Sequence, residues 1–185
     1  MENTDFVTQL REHYVAQFID FVEHQQKDSA KGASEVKLKL SDKSGIFDHL
    51  YCVDFIKNEP TEIVELQPQN ILVFDPISGG FGQSSLLIEH LRWDDVIIYH
   101  DADNLPEDQL SQWFTKWFDP QDIRYNADNQ VGEVIHSLVI EPHSVSIDFG
   151  TSQPTAFWDM LAILESAKTT SMRITSSSAE NPVDP

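Results

Sequence analysis

The amino-acid sequence predicts an α+β protein. Its mostly antiparallel sheet, of about six to eight short strands, is expected to pack with an N-terminal helix, a central aromatic-rich helix and a C-terminal helix. Three observations support this fold class. Apolar residues recur at helical spacing in three segments, short β-prone runs lie between those segments, and 40% of the 185 residues are hydrophobic. That apolar content is sufficient to offset the entropy of ordering the chain.

The first helix is predicted over residues 5–26, where apolar side chains recur every four residues. The repeat consists of Phe6, Leu10, Tyr14, Phe18 and Val22. After a polar linker, Val36 and Leu38 alternate with Lys37 and Lys39, and this alternation predicts a half-exposed strand. Lysines at such positions protect the edge of a sheet from pairing with another chain.

The middle of the chain predicts a series of short strands. Residues 51–56, 63–66 and 71–74 are β-prone, and Pro60 and Pro68 separate them, which predicts a meander. The glycine-rich stretch at residues 78–85 has neither the Gly-Lys-Ser/Thr of a phosphate-binding loop nor the third spaced glycine of a dinucleotide-binding loop. We therefore interpret it as a connection between two strands.

Two hairpins are predicted further along. Residues 86–93 and 96–100 flank an Asp-Asp pair, and a tight turn there places Glu89 opposite His100. The second hairpin is formed by two runs on either side of a Pro-His turn, and its register pairs Leu138 with Ile147.

Two more helices complete the prediction. Asn104 and Pro106 provide a start signal for a helix that runs to about residue 118. Its buried face is predicted to consist of Leu110, Trp113, Phe114 and Trp117. The last helix begins near Pro154 and ends by about Ala167.

The predicted domain organisation is one α+β domain over residues 1–167, followed by a tail over residues 168–185. The tail is rich in Ser and Thr and has little apolar content. Such a segment cannot bury enough surface to order itself, so it is expected to be disordered.

Charge and composition restrict the classes of function. The net charge is −19, from 12 basic and 31 acidic residues, and a field of this sign repels nucleic-acid backbones and anionic lipid surfaces. The N-terminus lacks the basic and apolar regions of a signal peptide, and no apolar run is long enough to cross a membrane. One cysteine, Cys52, excludes an internal disulfide. These features favour a cytoplasmic protein that binds neither nucleic acid nor membrane directly.

Catalytic motifs are absent from the sequence. No Gly-x-Ser-x-Gly sequence is present, and Cys52 lies inside an apolar run with no adjacent Lys or His to lower the pKa of its thiol. We interpret Cys52 as a buried, unreactive residue. His136 shares a hairpin face with Leu138 and Ile147, so it is either a perturbed acid–base group or a hydrogen-bonded core histidine. No cofactor is predicted.

One set of residues has the chemistry of a metal site. His100, Asp101 and Asp103 lie close together in the sequence, and the predicted hairpin adds Glu89. The same run is equally explained as a strand-to-helix turn with capping residues.

Acidic residues are concentrated between residues 93 and 130, which hold nine carboxylates against Lys116 and Arg124. Those assigned to a partner-binding face are Asp94, Asp95, Asp101, Asp103, Glu107 and Asp108. They face a basic partner, or they are solvated turns and helix starts. In composition the chain is similar to small acidic α+β proteins that neutralise basic nuclease toxins.

Three functional hypotheses follow. The first is a non-enzymatic interaction protein, of the adaptor or inhibitor type, that binds a basic protein partner. The alternatives are a small metal-dependent hydrolase centred on Glu89, His100, Asp101 and Asp103, and a small-molecule-binding domain. The last would have its pocket between the sheet and the helix at residues 105–118. The sequence does not specify an oligomeric state.

Overall fold

The computed structural model describes residues 3–29, 31–41, 43–126 and 128–177. It contains three helices, α1 (Asn3–Asp28), α2 (Glu107–Phe118) and α3 (Pro154–Ser166). The three predicted helices and the α+β class are therefore confirmed. The predicted face of α2 is also confirmed, because all four of its named aromatic and aliphatic side chains are buried.

Nine strands form two sheets within the described residues. The smaller sheet consists of β1 (Ala33–Lys39), β2 (Leu50–Asn58) and β3 (Thr61–Val64), in the order β1-β2-β3. The larger sheet consists of β4 (Ile77–Phe81), β5 (Ser84–Ile88), β6 (Val96–His100), β7 (Ser137–Glu141), β8 (Ser144–Asp148) and β9 (Ser171–Thr175). Its order is β4-β5-β9-β6-β8-β7. Every strand pair is antiparallel except β5 with β9.

The hairpin of β7 and β8 has the predicted register, with Leu138 opposite Ile147. The glycine-rich stretch connects two strands as predicted, because it forms β4 and the turn into β5. Gly82 occupies that turn with a φ of 58°, a backbone conformation that glycine adopts without steric cost.

The predicted hairpin between residues 86–93 and 96–100 is wrong. The partners of β5 are β4 and β9, and β9 lies between β5 and β6. The Asp-Asp pair does lie in a turn, where the Asp95 N–H donates to the Arg92 carbonyl over 3.1 Å. Only a single β-bridge, between Arg92 and Asp95, forms there. β5 and β6 do not pair with each other, because β9 lies between them and pairs with both.

The predicted strand at residues 71–74 is also wrong. This segment is irregular and lies against α1, where Gln17 Nε2 donates to the Asn70 carbonyl over 3.2 Å. Phe74 packs on Phe6 with ring centroids 4.6 Å apart. The segment therefore contacts a helix rather than a neighbouring strand, and part of its apolar surface stays exposed, with Val73 90% exposed.

The predicted disorder of the tail is wrong for residues 168–177, because β9 is an interior strand of the larger sheet. Met172 is 2% exposed and Ile174 is fully buried. A strand that is paired on both edges gains hydrogen bonds along its whole length, so two apolar side chains are enough to place it in the core. Residues 178–185 of the predicted tail lie outside the described residues.

Two of the acidic residues hold the ends of β9. Asp101 accepts hydrogen bonds from the Thr170 and Ser171 N–H groups, over 2.8 Å and 3.3 Å. At the other end, Asp95 accepts a 3.0 Å hydrogen bond from the Ser177 N–H. These carboxylates flank β6, the antiparallel neighbour of β9, so β6 fixes both the entry and the exit of the last strand.

A continuous hydrophobic cluster contains residues of all three helices and of both sheets. Trp93 stacks on Phe149 with ring centroids 4.7 Å apart. Trp113 of α2 donates to the Ala156 carbonyl of α3 over 3.0 Å. The core therefore joins residues from the beginning, the middle and the end of the described chain.

The position of β9 gives a direct test. Replacing Ile174 with Ala should lower the free energy of unfolding by about 2–5 kcal/mol, since it leaves a cavity in the core. Replacing the exposed Ser171 with Ala should change it by less than about 0.5 kcal/mol. Urea denaturation of both variants makes the comparison. Equal effects would show that residues 171–175 do not form an interior strand.

Candidate functional site

His136 lies where the two sheets meet. Its N–H donates to the Asp148 carbonyl of β8 over 2.9 Å, and its carbonyl accepts a 2.7 Å hydrogen bond from the Cys52 N–H of β2. The side chain is 1% exposed. The backbone of this one residue therefore connects the smaller sheet to the larger one.

Three carboxylates surround the imidazole. Nδ1 lies 3.0 Å from Asp54 Oδ1 and 3.9 Å from Asp148 Oδ2, while Nε2 lies 3.4 Å from Glu35 Oε1. The N–H at Nδ1 does not point at an acceptor, so its contact with Asp54 is an ion pair rather than a linear hydrogen bond. Because Glu35 and Asp54 come from β1 and β2 and Asp148 from β8, the side chain also joins the two sheets.

Backbone groups hold each carboxylate in place. Glu35 Oε2 accepts a hydrogen bond from the Gly132 N–H over 2.5 Å, and Glu35 Oε1 accepts one from the Thr151 hydroxyl. Asp54 Oδ2 accepts from the Leu66 N–H over 2.6 Å. Asp148 Oδ1 accepts from the Gly150 N–H over 2.8 Å. Each carboxylate therefore accepts at least one hydrogen bond from an uncharged donor in addition to its contact with His136.

Glu35 reaches this position through an unusual backbone conformation. Its φ is 50°, in the left-handed region that costs a side-chain-bearing residue roughly 1 kcal/mol or more. In the pairing of β1 with β2, Ser34 and Val36 each have a partner residue in β2, and Glu35 between them has none. The local irregularity lets the carboxylate meet Thr151, whose carbonyl in turn accepts a 2.9 Å hydrogen bond from Arg11 Nη2.

Burial alone lowers the pKa of His136, but the neighbouring carboxylates of Asp148, Asp54 and Glu35 raise it well above its ordinary value of 6.5. Burial raises the pKa of the Cys52 thiol to about 12, so that thiol is uncharged at neutral pH. The carboxylates therefore keep the proton on the imidazole, and His136 is an imidazolium in the folded protein.

The pKa values of Asp54 and Asp148 shift in opposite directions. For Asp54, burial raises the pKa, but the contact with His136 and the Leu66 N–H outweigh it and lower the pKa below 3.8. For Asp148, removal from water raises the pKa to about 7, Asp54 adds to the increase, and His136 opposes it. The Asp148 side chain is 29% exposed, the largest exposed fraction among the four side chains of the cluster.

This arrangement limits the chemistry of the cluster. A general acid or base must come within hydrogen-bond reach of its substrate, and the imidazole of His136 is enclosed on every side that the structure describes. Glu35 already accepts bonds from two donors besides its contact with His136. The cluster is therefore built to hold the two sheets together. Of the two interpretations of His136, the core histidine fits better, and the contacts of its imidazole are with carboxylates.

A cavity of about 680 Å³ lies next to this cluster, and Glu35 forms part of its wall. It is enclosed by the C-terminal half of α1, by β1 and by the segment 119–134. Asp119 starts that segment, with a φ of 51° at the end of α2. Its carboxylate accepts hydrogen bonds from the Ile123 and Arg124 N–H groups over 3.0 Å and 2.8 Å. The segment is thereby turned back over β1.

The predicted metal set is not brought together. Glu89 pairs with Arg173 at 2.9 Å, and Asp101 bonds the start of β9. His100 lies opposite Met172 on the far side of β9. Glu89 and His100 are therefore two strand spacings apart, about 10 Å, and offset by about 10 Å along the strands. Within the part of the chain that the structure describes, no three His, Cys, Asp or Glu residues are grouped to hold a metal ion.

The six predicted partner-binding acids fall into two groups. Asp94 pairs with Arg92 at 2.6 Å, and Asp95 and Asp101 hold β9. The other three have exposed side chains without an ion pair among the described residues: Asp103, Glu107 and Asp108.

The other sequence hypotheses can also be placed. Cys52 is buried, as predicted, and burial raises the pKa of its thiol. The cavity does not lie between the sheet and the aromatic face of α2, as the small-molecule hypothesis expected, because α3 packs there through Trp113 and Ala156. It lies instead beyond the C-terminal end of α2.

The carboxylate partners of His136 were missed, although two of them left a signal. Asp54 and Asp148 each interrupt a run of β-prone apolar residues, and a charge in a buried strand needs a partner of opposite charge. Glu35 has no comparable signal, because its position depends on a left-handed backbone that the sequence does not mark.

Comparisons with protein-family models, with curated proteins and with solved structures each give no match to this chain. Among the residues that the structure describes, no helix has both the length and the apolar character required to cross a bilayer.

Gly150 tests the packing around His136. A Cβ at this position would lie 2.2 Å from His136 Cδ2, and the φ of Gly150 is 48°. Replacing Gly150 with Ala should lower the free energy of unfolding by about 3 kcal/mol or more, because it adds strain and a clash. Replacing Gly79, where a Cβ meets nothing within 4 Å, is the matched control. Similar thermal midpoints for the two variants would contradict the close approach.

The cluster also predicts a dependence of stability on pH. The raised pKa of Asp148, about 7 against 3.8 when unfolded, gives stability that is complete below pH 3.8 and is lost as the pH rises through 7. His136, raised from 6.5, adds a loss above pH 6.5. The free energy of unfolding should therefore fall from pH 5 to pH 9, by at most about 1.4 kcal/mol per pH unit for each group.

Urea denaturation at pH 5, 7 and 9 measures this fall. Replacing Asp148 with Asn should flatten the interval from pH 5 to 7 and keep the decline above it. Replacing the exposed Asp20 of α1 with Asn should leave the profile unchanged. An identical profile in both variants would rule out Asp148 as the titrating group.

Proposed function

We propose that this chain is a non-enzymatic interaction protein, of the adaptor or inhibitor type, that binds a basic protein partner. The observation that carries the proposal is the distribution of charge after internal pairing. All 12 Lys and Arg residues lie among the described residues, and six of them already form ion pairs with carboxylates of the chain. Among the 31 acidic residues, carboxylates without an ion pair therefore outnumber the six remaining bases, and many of them are exposed.

Part of that surplus is held rigidly at the start of α2. Asp103 precedes the helix, and Glu107 and Asp108 lie in its first turn. The positive end of the helix dipole stabilises Glu107 and Asp108 at this position. A rigid array of like charges attracts a basic surface over long range and accelerates its association.

The remaining predicted acids take a different role in the proposal. Asp94, Asp95 and Asp101 are bonded within the fold, so replacing them would change the stability of β9 and its neighbours. The partner-binding part of the prediction is therefore restricted to Asp103, Glu107 and Asp108, together with unpaired carboxylates near the cavity.

Two alternatives fare differently. The hydrolase hypothesis has no assembled site, because Glu89 and His100 lie on opposite sides of β9. The small-molecule hypothesis is retained as a second candidate, because a cavity of about 680 Å³ has the volume of known ligand pockets.

The net charge of −19 still disfavours nucleic acid. We propose the cytoplasm as the compartment, since the single cysteine is a free thiol.

The test is affinity capture followed by measured kinetics with the recovered protein. The partner should be basic, and its association rate should fall by about an order of magnitude or more between low and physiological ionic strength, as steered encounters do. Replacing Asp103, Glu107 and Asp108 with Asn or Gln should slow association at low salt, with little effect on dissociation.

The matched control removes the same amount of charge elsewhere. Glu12, Asp20 and Glu62 are exposed and have no ion-pair partner among the residues that the structure describes, so their replacement with Gln or Asn measures the effect of net charge alone. If both triple variants slow association equally, the start of α2 is not a binding surface. Recovery of no basic protein, or binding that ignores salt, would reject the interaction function.

A further inference from the structure

The cavity beside β1 has an apolar part and an acidic part. Ile19 and Val22 of α1 contribute to its wall, and so do Val36 of β1 and Val131. Glu23 and Asp128 contribute carboxylates that are exposed and have no ion-pair partner within the described residues. We infer that the cavity is an anchor pocket for an arginine side chain of the basic partner, an inference that rests on the proposed function.

The two bases in the wall do not neutralise these carboxylates. Lys37 donates to the Asp122 carboxylate and to the Asp119 carbonyl. Arg124 lies 3.8 Å from Asp119 Oδ2 and donates to the Trp117 carbonyl over 3.3 Å. Both cations are therefore occupied by neighbours within the fold, and the charge left for an incoming group is negative.

Glu35 is not the residue that binds the incoming cation. Its carboxylate contacts His136 and accepts hydrogen bonds from Gly132 and Thr151, so it is compensated from the side of the core. It adds negative potential to the wall, while Glu23 and Asp128 supply the free oxygens. Glu23 is on α1 and Asp128 is in the segment 119–134, so a guanidinium that meets both carboxylates would contact two separate elements of the wall.

The chemistry of the wall matches an arginine side chain. Apolar residues suit the aliphatic stem of a long cationic side chain, whose charged head stays near water. The planar guanidinium carries five N–H donors, which suit a pocket with several separate oxygen acceptors better than a compact ammonium does. Besides the two carboxylates, Gln26 and Gln130 line this cavity, and a side-chain amide of this type offers a carbonyl oxygen.

Tyr125 provides an aromatic surface at the same place. It lines the cavity and is 74% exposed, which is high for a large aromatic side chain. A guanidinium that enters between Glu23 and Asp128 can stack on such a ring and gain a cation–π contact. The exposure of Tyr125 is then explained as surface that the partner covers.

The test uses synthetic peptides and the intact chain. An acetylated and amidated Gly-Ser-Arg-Ser-Gly peptide should shift the backbone NMR resonances of residues that line the cavity. The same peptide with citrulline, a neutral analogue of arginine, should not. Replacing both Glu23 and Asp128 with Gln and Asn should weaken binding of the arginine peptide about tenfold or more, and Tyr125→Leu should weaken it about two- to fivefold.

Glu12→Gln with Asp20→Asn is the matched control, because both residues are exposed on α1 and do not line the cavity. This double variant should bind within about twofold of the unchanged chain, apart from the small effect of net charge. Equal weakening in both double variants, shifts scattered over the acidic surface, or equal binding of citrulline would overturn the pocket. Equal binding of a lysine peptide would overturn the preference for a guanidinium.

Two further experiments distinguish a partner side chain from a free small molecule, and failure of the pocket from failure of the proposed function. N-acetyl-arginine amide should bind about as tightly as the peptide, because the proposed pocket contacts only the arginine side chain. If free L-arginine binds about tenfold or more tightly than these capped forms, the pocket recognises the charged amino and carboxylate groups of a free amino acid, and the assignment to a partner side chain is rejected. If a basic partner is captured but the Glu23 and Asp128 variant binds it with unchanged affinity, the pocket is rejected while the interaction function stands. If no basic partner is captured, the interaction function fails and, with it, the assignment of the pocket to a partner.

Discussion

The ionic contact of His136 with carboxylates from both sheets is the constraint on which the rest of the fold depends. The two sheets share no strand, and the side chain of His136 reaches Glu35 and Asp54 on one side and Asp148 on the other. Removing one member of a buried ionic group leaves the others uncompensated and typically costs about 3–5 kcal/mol. The cluster therefore gives the two sheets one relative position rather than many.

The same cluster determines the shape of the molecular surface. Glu35 is drawn inward to His136, and its second oxygen holds the Gly132 N–H. That bond fixes the end of the segment 119–134, while Asp119 fixes its beginning. Because both ends are anchored to buried groups, the segment encloses a cavity instead of lying flat on β1. The charge arrangement in the core and the cavity at the surface are thus consequences of one another.

Patterns in the sequence predicted the elements that depend on residues close together in the chain. They did not predict the pairing of strands that are far apart in the chain. The four-residue repeat of α1 and the Leu138–Ile147 register depend on residues close in sequence. β9 shows little apolar character, and its place is decided by pairing with β5 and β6, more than 70 residues earlier in the chain. The site required both kinds of information, since Asp54 carries a visible signal and Glu35 does not.

The net charge of −19 conceals two populations of carboxylates with different physical roles. One population is structural: Asp101 and Asp95 fix the ends of β9, and Asp54 compensates His136. Members of the other population, such as Glu23 and Asp128, have no ion-pair partner within the described part of the chain, and like charges without partners repel one another. Mutual repulsion lowers the stability of the compact state, and a cationic partner relieves it. Recognition of a basic surface therefore depends on where the unpaired acids lie, and total acidity is a poor guide to it.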